Sequence, residues 1–260
     1  LFLKYISAVF SFKEELMLSL LFSFLIAVAA GLVSGYFINY GFGIFIGLFA
    51  GFGMFIFFTR FYSKKLQDVF TLANTDIQKQ QFERAITILK GGYKYNRHAF
   101  LVKAQIDSQI GIILYTQKKF GEAYKHLQNS NPRIMMGYLM LIIGHIKNGK
   151  TKNIDREIDL LLKFNKKDPF AYSAVAYLYE EELNDREHAL AVLVKAAKIM
   201  PDNQKIQEHL LAFQNNKQFK MEKYGEMWYQ LMLDRKGITR LQNKMIKDQQ
   251  KSMRVRSKVR

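Results

Sequence analysis

From Leu16 to Thr59 the chain runs for 44 residues without one Asp, Glu, Lys or Arg. No soluble core helix is that long and that apolar. A bilayer core is crossed by about 20 apolar residues, so the stretch is too long for one span and suited to two. A wholly soluble protein is excluded. All of the net charge of +17 lies in the remaining residues. The chain has no cysteine, which excludes a disulfide-stapled domain, a thiolate metal site and a cysteine nucleophile. A hydrophobic content of 49% excludes disorder as the overall state.

Asn39-Tyr40-Gly41 is the only turn-like break in the stretch. It predicts two transmembrane helices, Leu16–Ile38 and Phe42–Phe58, in a tight antiparallel hairpin over residues 16–59. Small residues recur at every fourth position: Ser19, Ser23, Ala27, Gly31 and Gly35 in the first helix, then Gly43, Gly47 and Gly51 in the second. Folding about Asn39 sets Gly35 against Gly43, Gly31 against Gly47 and Ala27 against Gly51. Lipid gives no hydrophobic drive between helices, so close backbone approach along such stripes holds a pair together.

Lys4 and Lys13 precede the first span, Arg60, Lys64 and Lys65 follow the second, and the turn has no basic residue. Positive flanks stay in the cytoplasm. The chain is thus expected to be a multi-pass membrane protein with both termini and the whole C-terminal part cytoplasmic, the bacterial inner membrane being the expected location. A signal peptide cleaved near Ala27-Val28-Ala29 is the competing reading. Glu14 and Glu15 directly before the apolar run, and the second span after it, argue against cleavage. Residues 1–15, apolar over Leu1–Phe12 with one lysine, read as an interfacial segment.

Residues 63–233 change to helical periodicity broken by short polar turns. Val69, Leu72 and Ala73 pair with Phe82, Ala85, Ile86 and Leu89. Ile110, Gly111 and Leu114 pair with Phe120, Ala123, Tyr124 and Leu127. Two further sets follow, with turns at Lys79-Gln80, Lys118-Lys119, Asn148-Gly149 and Asn184-Asp185. Helix pairs repeating at 31–38 residues predict an all-α solenoid. Residues 203–233 are expected to add one more helix pair as a cap.

These residues resemble the tetratricopeptide repeat family. Its pattern is carried best by Ile110-Gly111 with Phe120-Gly121-Glu122-Ala123, and by Tyr172 with Ala189, Leu193, Ala196 and Pro201. Phe82-Glu83-Arg84-Ala85 is a half repeat, the set around Gly149 is poor, and the fourth set carries an extra residue at Glu180–Glu182. The resemblance implies a concave groove lined by the first helix of each pair. By register it would hold Phe70, Asn74, Gln78, Ile112, Tyr115, Leu139, Ile143 and Tyr177. The lysine-rich carboxylate clamp of the family's chaperone-binding members is missing, because Phe70, Met136 and Met140 stand where basic residues are needed. A semi-apolar groove suits an amphipathic helix or apolar peptide.

Gly144-His-Ile-Lys-Asn-Gly149-Lys150-Thr151 fits the phosphate-loop pattern, which makes a nucleotide-binding enzyme an alternative. That loop needs a strand before it in a parallel sheet, and here the flanks are helical. No catalytic, metal or cofactor site is expected, since the five histidines are scattered. Residues 234–260 form a basic tail, which from Arg235 onward has ten basic residues against Asp248 alone. Arg240, Lys244, Lys247, Lys251, Arg254, Arg256, Lys258 and Arg260 are expected to meet anionic lipid or an acidic partner. Nucleic acid is a further alternative, disfavoured because the tail has no aromatic residue to stack on bases. The expected role is a membrane-anchored scaffold that positions a protein partner, including a membrane protein; a small-molecule substrate is not expected.

Overall fold

The computed structural model describes residues 17–37, 39–96, 101–217 and 220–234. Among them every regular element is helical and none is a strand. The segment 1–15 and the tail residues Arg240 to Arg260 lie outside the described residues.

α1 (Met17–Phe37) and α2 (Tyr40–Gln78) are both long and apolar enough to cross a membrane. Asn39 caps α2 in extended backbone. Its side-chain oxygen accepts from the Gly41 N–H at 3.2 Å and its carbonyl from the Gly43 N–H at 2.9 Å. The two helices touch through their small residues. A Cβ added at Gly43 would lie 2.6 Å from the Gly31 carbonyl oxygen and 2.7 Å from Gly35 Cα. One at Gly47 would lie 2.6 Å from the Ala27 carbonyl oxygen, and one at Gly51 2.6 Å from the Ala27 Cβ. The large apolar side chains point away from this seam, with Leu32 69% and Phe49 75% exposed.

The second helix does not stop at Phe58, and the domain boundary read at residues 59–63 falls inside it. α2 continues unbroken for 39 residues, about 58 Å at 1.5 Å per residue. The change at Arg60 is one of side-chain polarity, not of backbone: Arg, Lys, Gln and Asp carry a helix on, and no Gly or Pro occurs between Gly53 and Gln80. Thr59, Thr71 and Thr75 fold their hydroxyls back onto the carbonyls four residues earlier.

The chain divides into two compact units, Leu1–Leu114 with Gly121–Asn131, and Tyr115–Phe120 with Pro132–Arg260. In the first, the polar half of α2 packs on α3 (Phe82–Gly91) by burying Leu66 and Ala73 with Ala85, Ile86 and Leu89. A 3-10 turn, Gly92–Tyr95, then folds back along α2. Glycine is required at position 92, where a Cβ would meet Ile106 at 2.9 Å and Val69 and Leu66 within 3.5 Å. α4 (Val102–Thr116) meets α5 (Phe120–Leu127) at Gly111, whose added Cβ would lie 2.6 Å from the Leu127 side chain.

The second unit holds α6 (Met135–Lys147), α7 (Ile154–Phe164), α8 (Pro169–Tyr177), α9 (Arg186–Ile199) and α10 (Gln204–Gln214). Consecutive helices pack on each other from α6 to α7, α7 to α8, α8 to α9 and α9 to α10. Aspartate or asparagine starts four of them, and in three its side chain caps the helix. Asp168 accepts from the Phe170 and Ala171 N–H groups, Asp185 from His188 and Asn203 from Ile206. The extra residue at Glu180–Glu182 is absorbed as a π turn, Leu178–Glu182, at the end of α8. The expected last helix pair forms only by half. After α10 come a 3-10 turn (Met221–Tyr224) and the short α11 (Glu226–Gln230), because Gly225 at φ +59 and ψ −131 breaks the helix between them.

The pairs close alike. Gln80, Lys118, Gly149, Asn184 and Asn216 all have left-handed φ, between 53° and 67°, and stand 31 to 38 residues apart. At Gln80, Gly149 and Asn216 the turn is a paired cap. The left-handed residue donates three positions back and the next residue five positions back, as in Gly149 to Ile146 at 3.0 Å and Lys150 to His145 at 2.8 Å.

Candidate functional site

The residues assigned to the groove fall in both units. In the first, Phe70, Asn74 and Gln78 stand one turn apart on α2, beside the stripe that packs on α3. Asn74 and Gln78 are exposed and Phe70 is half-buried, as is Ile112 on α4.

In the second unit no open groove exists at the assigned residues. Leu139 is 0% exposed, Ile143 3% and Tyr115 8%, so these are core positions. Tyr177 is half-buried, because the chain's own segment 221–231 lies against it. The Trp228 ring meets Tyr177 edge-on at 4.6 Å, and the Tyr115 hydroxyl donates to the Leu231 carbonyl at 3.0 Å. At the other end of the segment, the Tyr224 hydroxyl donates to the Pro169 carbonyl at 3.1 Å and lies 2.9 Å from the Ser173 hydroxyl. Its ring packs 5.1 Å from Phe170. Trp228 and Leu231 are fully buried.

The chemistry of this contact is that of phenols held neutral by burial. Burial pushes Tyr115 up to about 12, helped by the Glu182 carboxylate. Burial likewise raises Tyr177 to about 12, with Glu181, Glu182 and Asp234 adding to it. A phenol held neutral keeps its proton for donation. His209, also buried, places Nδ1 3.0 Å from the Ser173 hydroxyl, and burial depresses its pKa.

A second polar cluster lies in the first unit. Asp107, buried on α4, accepts from the Tyr93 hydroxyl at 2.6 Å and from Asn129 Nδ2 at 2.9 Å, with His126 Nδ1 at 2.7 Å. Burial pushes the Tyr93 phenol up, and the Asp107 carboxylate pushes it further. A buried carboxylate is tolerable only when so many donors surround it. The cluster ties the 3-10 turn, α4 and the end of α5 together.

The phosphate-loop look-alike is a helix end. Gly144 to Lys147 form the last turn of α6, and Gly149 and Lys150 supply the paired cap described above. The amides that a phosphate loop aims at its ligand are here bonded to helix carbonyls. Among the described residues the histidines do not converge either: His126 faces Asp107, His145 faces Glu157, His188 faces Asp185, and His209 faces Ser173.

Sequence reasoning missed the Asp107 cluster, and it read residues 221–231 as part of a capping helix pair rather than as the cover on Tyr115 and Tyr177. Each left one signal. Asp107 is the only acid on α4, and Trp228, the only tryptophan, follows closely on Gly225. Compared with known protein families, curated proteins and solved structures, the chain matches none of them.

Proposed function

We propose that the chain is a membrane-anchored helical adaptor, resident in a bacterial inner membrane with the helix pairs on the cytoplasmic side, that holds a protein partner at the bilayer. The observation that carries this is α2 itself. One helix begins as an apolar stretch long enough to span and ends as the first member of a helix pair, so whatever that first pair binds is held at a fixed distance from the bilayer. The basic residues after the span support the orientation. The recurrence of left-handed turns every 31 to 38 residues supports a tetratricopeptide-like arrangement of the pairs.

The partner surface in this reading is the exposed flank of α2 around Asn74 and Gln78, with Phe70 beside it. In the second unit the segment 221–231 already fills the face that a partner peptide would use. Photo-crosslinking residues placed at Asn74 and Gln78 of the full-length protein, in native membranes, test it. The expected result is one defined protein adduct at both positions, which is lost with Phe70→Glu. A protein that alkaline extraction strips from the membrane, or that gives no adduct from α2, overturns the reading.

A further inference from the structure

Two stretches of the sequence lack acids altogether. One is Leu16 to Gln67, which contains Arg60, Lys64 and Lys65; the other is Arg84 to Ile106, which contains Lys90 and Lys94. The fold brings them together where α2 leaves its apolar half. Gly92 sits against Leu66 and Val69, and three residues later the Tyr95 ring lies 6.2 Å from that of Tyr62. The turn therefore climbs toward the apolar end of α2. Tyr62 is three residues past Thr59, about 4.5 Å along the axis. The polar layer of a bilayer is roughly 5–8 Å deep on each side. Tyr62 and Tyr95 lie at that depth, and aromatic rings with one polar end favour it.

The cations are placed to match. Lys65 Nζ lies 4.5 Å over the Phe61 ring and Lys94 Nζ 5.1 Å over the Tyr95 ring, which holds both ammonium groups beside the aromatic band. Arg60, Lys64, Lys65 and Lys94 are exposed, and among the described residues none of them makes an ion pair. The nearest acids along the same elements are Asp68 on α2 and Glu83 at the far end of α3. Exposed positive charge at headgroup depth, without an ion-pair partner among the described residues, is complementary to lipid phosphate.

We propose that Arg60, Lys64, Lys65 and Lys94, framed by Tyr62 and Tyr95, form a collar that takes the headgroups of anionic lipids. The collar rests on the reading of α1 and α2 as spans. It seats the first helix pair on the bilayer surface, independently of the basic tail.

The test uses full-length protein in detergent, titrated with phosphatidylglycerol or phosphatidylcholine of identical chains, with bound lipid counted by native mass spectrometry. The collar variant is Lys64→Gln/Lys65→Gln/Lys94→Gln. The control is Lys152→Gln/Lys166→Gln/Lys167→Gln, which removes the same charge from exposed positions elsewhere. Each basic residue at an anionic surface is worth roughly a fivefold factor. Wild type and control are expected to prefer phosphatidylglycerol by tenfold or more, and the collar variant to lose that preference. A collar variant that keeps the preference, or a control that loses it equally, overturns the collar. Alkaline extraction of the same proteins separates the two readings: release from the membrane refutes the spans, whereas retention with an unchanged lipid preference refutes the collar alone.

Discussion

Gly43→Ala should pull the hairpin apart, and the structure says by how much. The added methyl would meet the Gly31 carbonyl oxygen at 2.6 Å and Gly35 Cα and N at 2.7 Å, all backbone atoms. Ordinary contact begins near 3.4 Å, so the helices must separate by about 0.8 Å, because backbone cannot rotate away as a side chain can. Overpacking of that kind costs about 1–3 kcal/mol. In lipid no hydrophobic term offsets it, since the contact surface only exchanges one apolar neighbour for another. Gly53→Ala is the matched control, because nothing lies within 4 Å of a Cβ there. Both changes raise helix propensity equally, so their difference isolates the seam. In an SDS titration of the protein in mixed micelles, Gly43→Ala should unfold about 2 kcal/mol more easily than Gly53→Ala. Equal midpoints would show that the glycine contact contributes nothing.

Other outcomes follow from the two polar clusters and the cap. Tyr115 is held neutral with a folded pKa of about 12 against an ordinary value of 10.0. Its contribution is therefore complete below pH 10 and lost as pH rises through 12, roughly 1–3 kcal/mol. Chemical denaturation at stepped alkaline pH should show this loss, reduced in Tyr115→Phe, which also gives up the bond to Leu231. Asp107→Asn turns an acceptor of several hydrogen bonds partly into a donor and should cost about 1–3 kcal/mol; an unchanged melting temperature would contradict the cluster's role. Gly149→Ala places a Cβ at φ +67 and should cost about 1 kcal/mol. Adding Mg-ATP should leave the melting of wild type where it was, whereas a nucleotide-dependent rise would revive the phosphate-loop alternative.

The features legible in the sequence share one property: each is fixed by neighbours in the chain. The turns at Gln80, Lys118, Gly149 and Asn184 lie where polar residues interrupt a helical period. The hairpin seam is legible because the break at Asn39 fixes the register and small residues recur at every fourth position on both sides of it. The run-on of α2 was hidden because the shift from Phe58 to Arg60 looks like a boundary and is only a change of side-chain polarity, which a helix ignores. The burial of Leu139 and Ile143 and the cover on Tyr177 were hidden for the opposite reason. The covering segment has irregular backbone without periodicity, and its bond to Tyr115 joins residues 116 positions apart. Nothing local announces such a contact.

The unbroken α2 also makes the protein a lever. With no joint between the apolar half and the half that carries α3, a tilt of the apolar half reappears at Gln78 multiplied by the length of the arm. From Thr59 to Gln78 that arm is about 28 Å, so a tilt of about 10° swings the first pair by about 5 Å. On the proposed anchoring, bilayer thickness, which sets the tilt of a span, becomes a coordinate that the first helix pair feels directly.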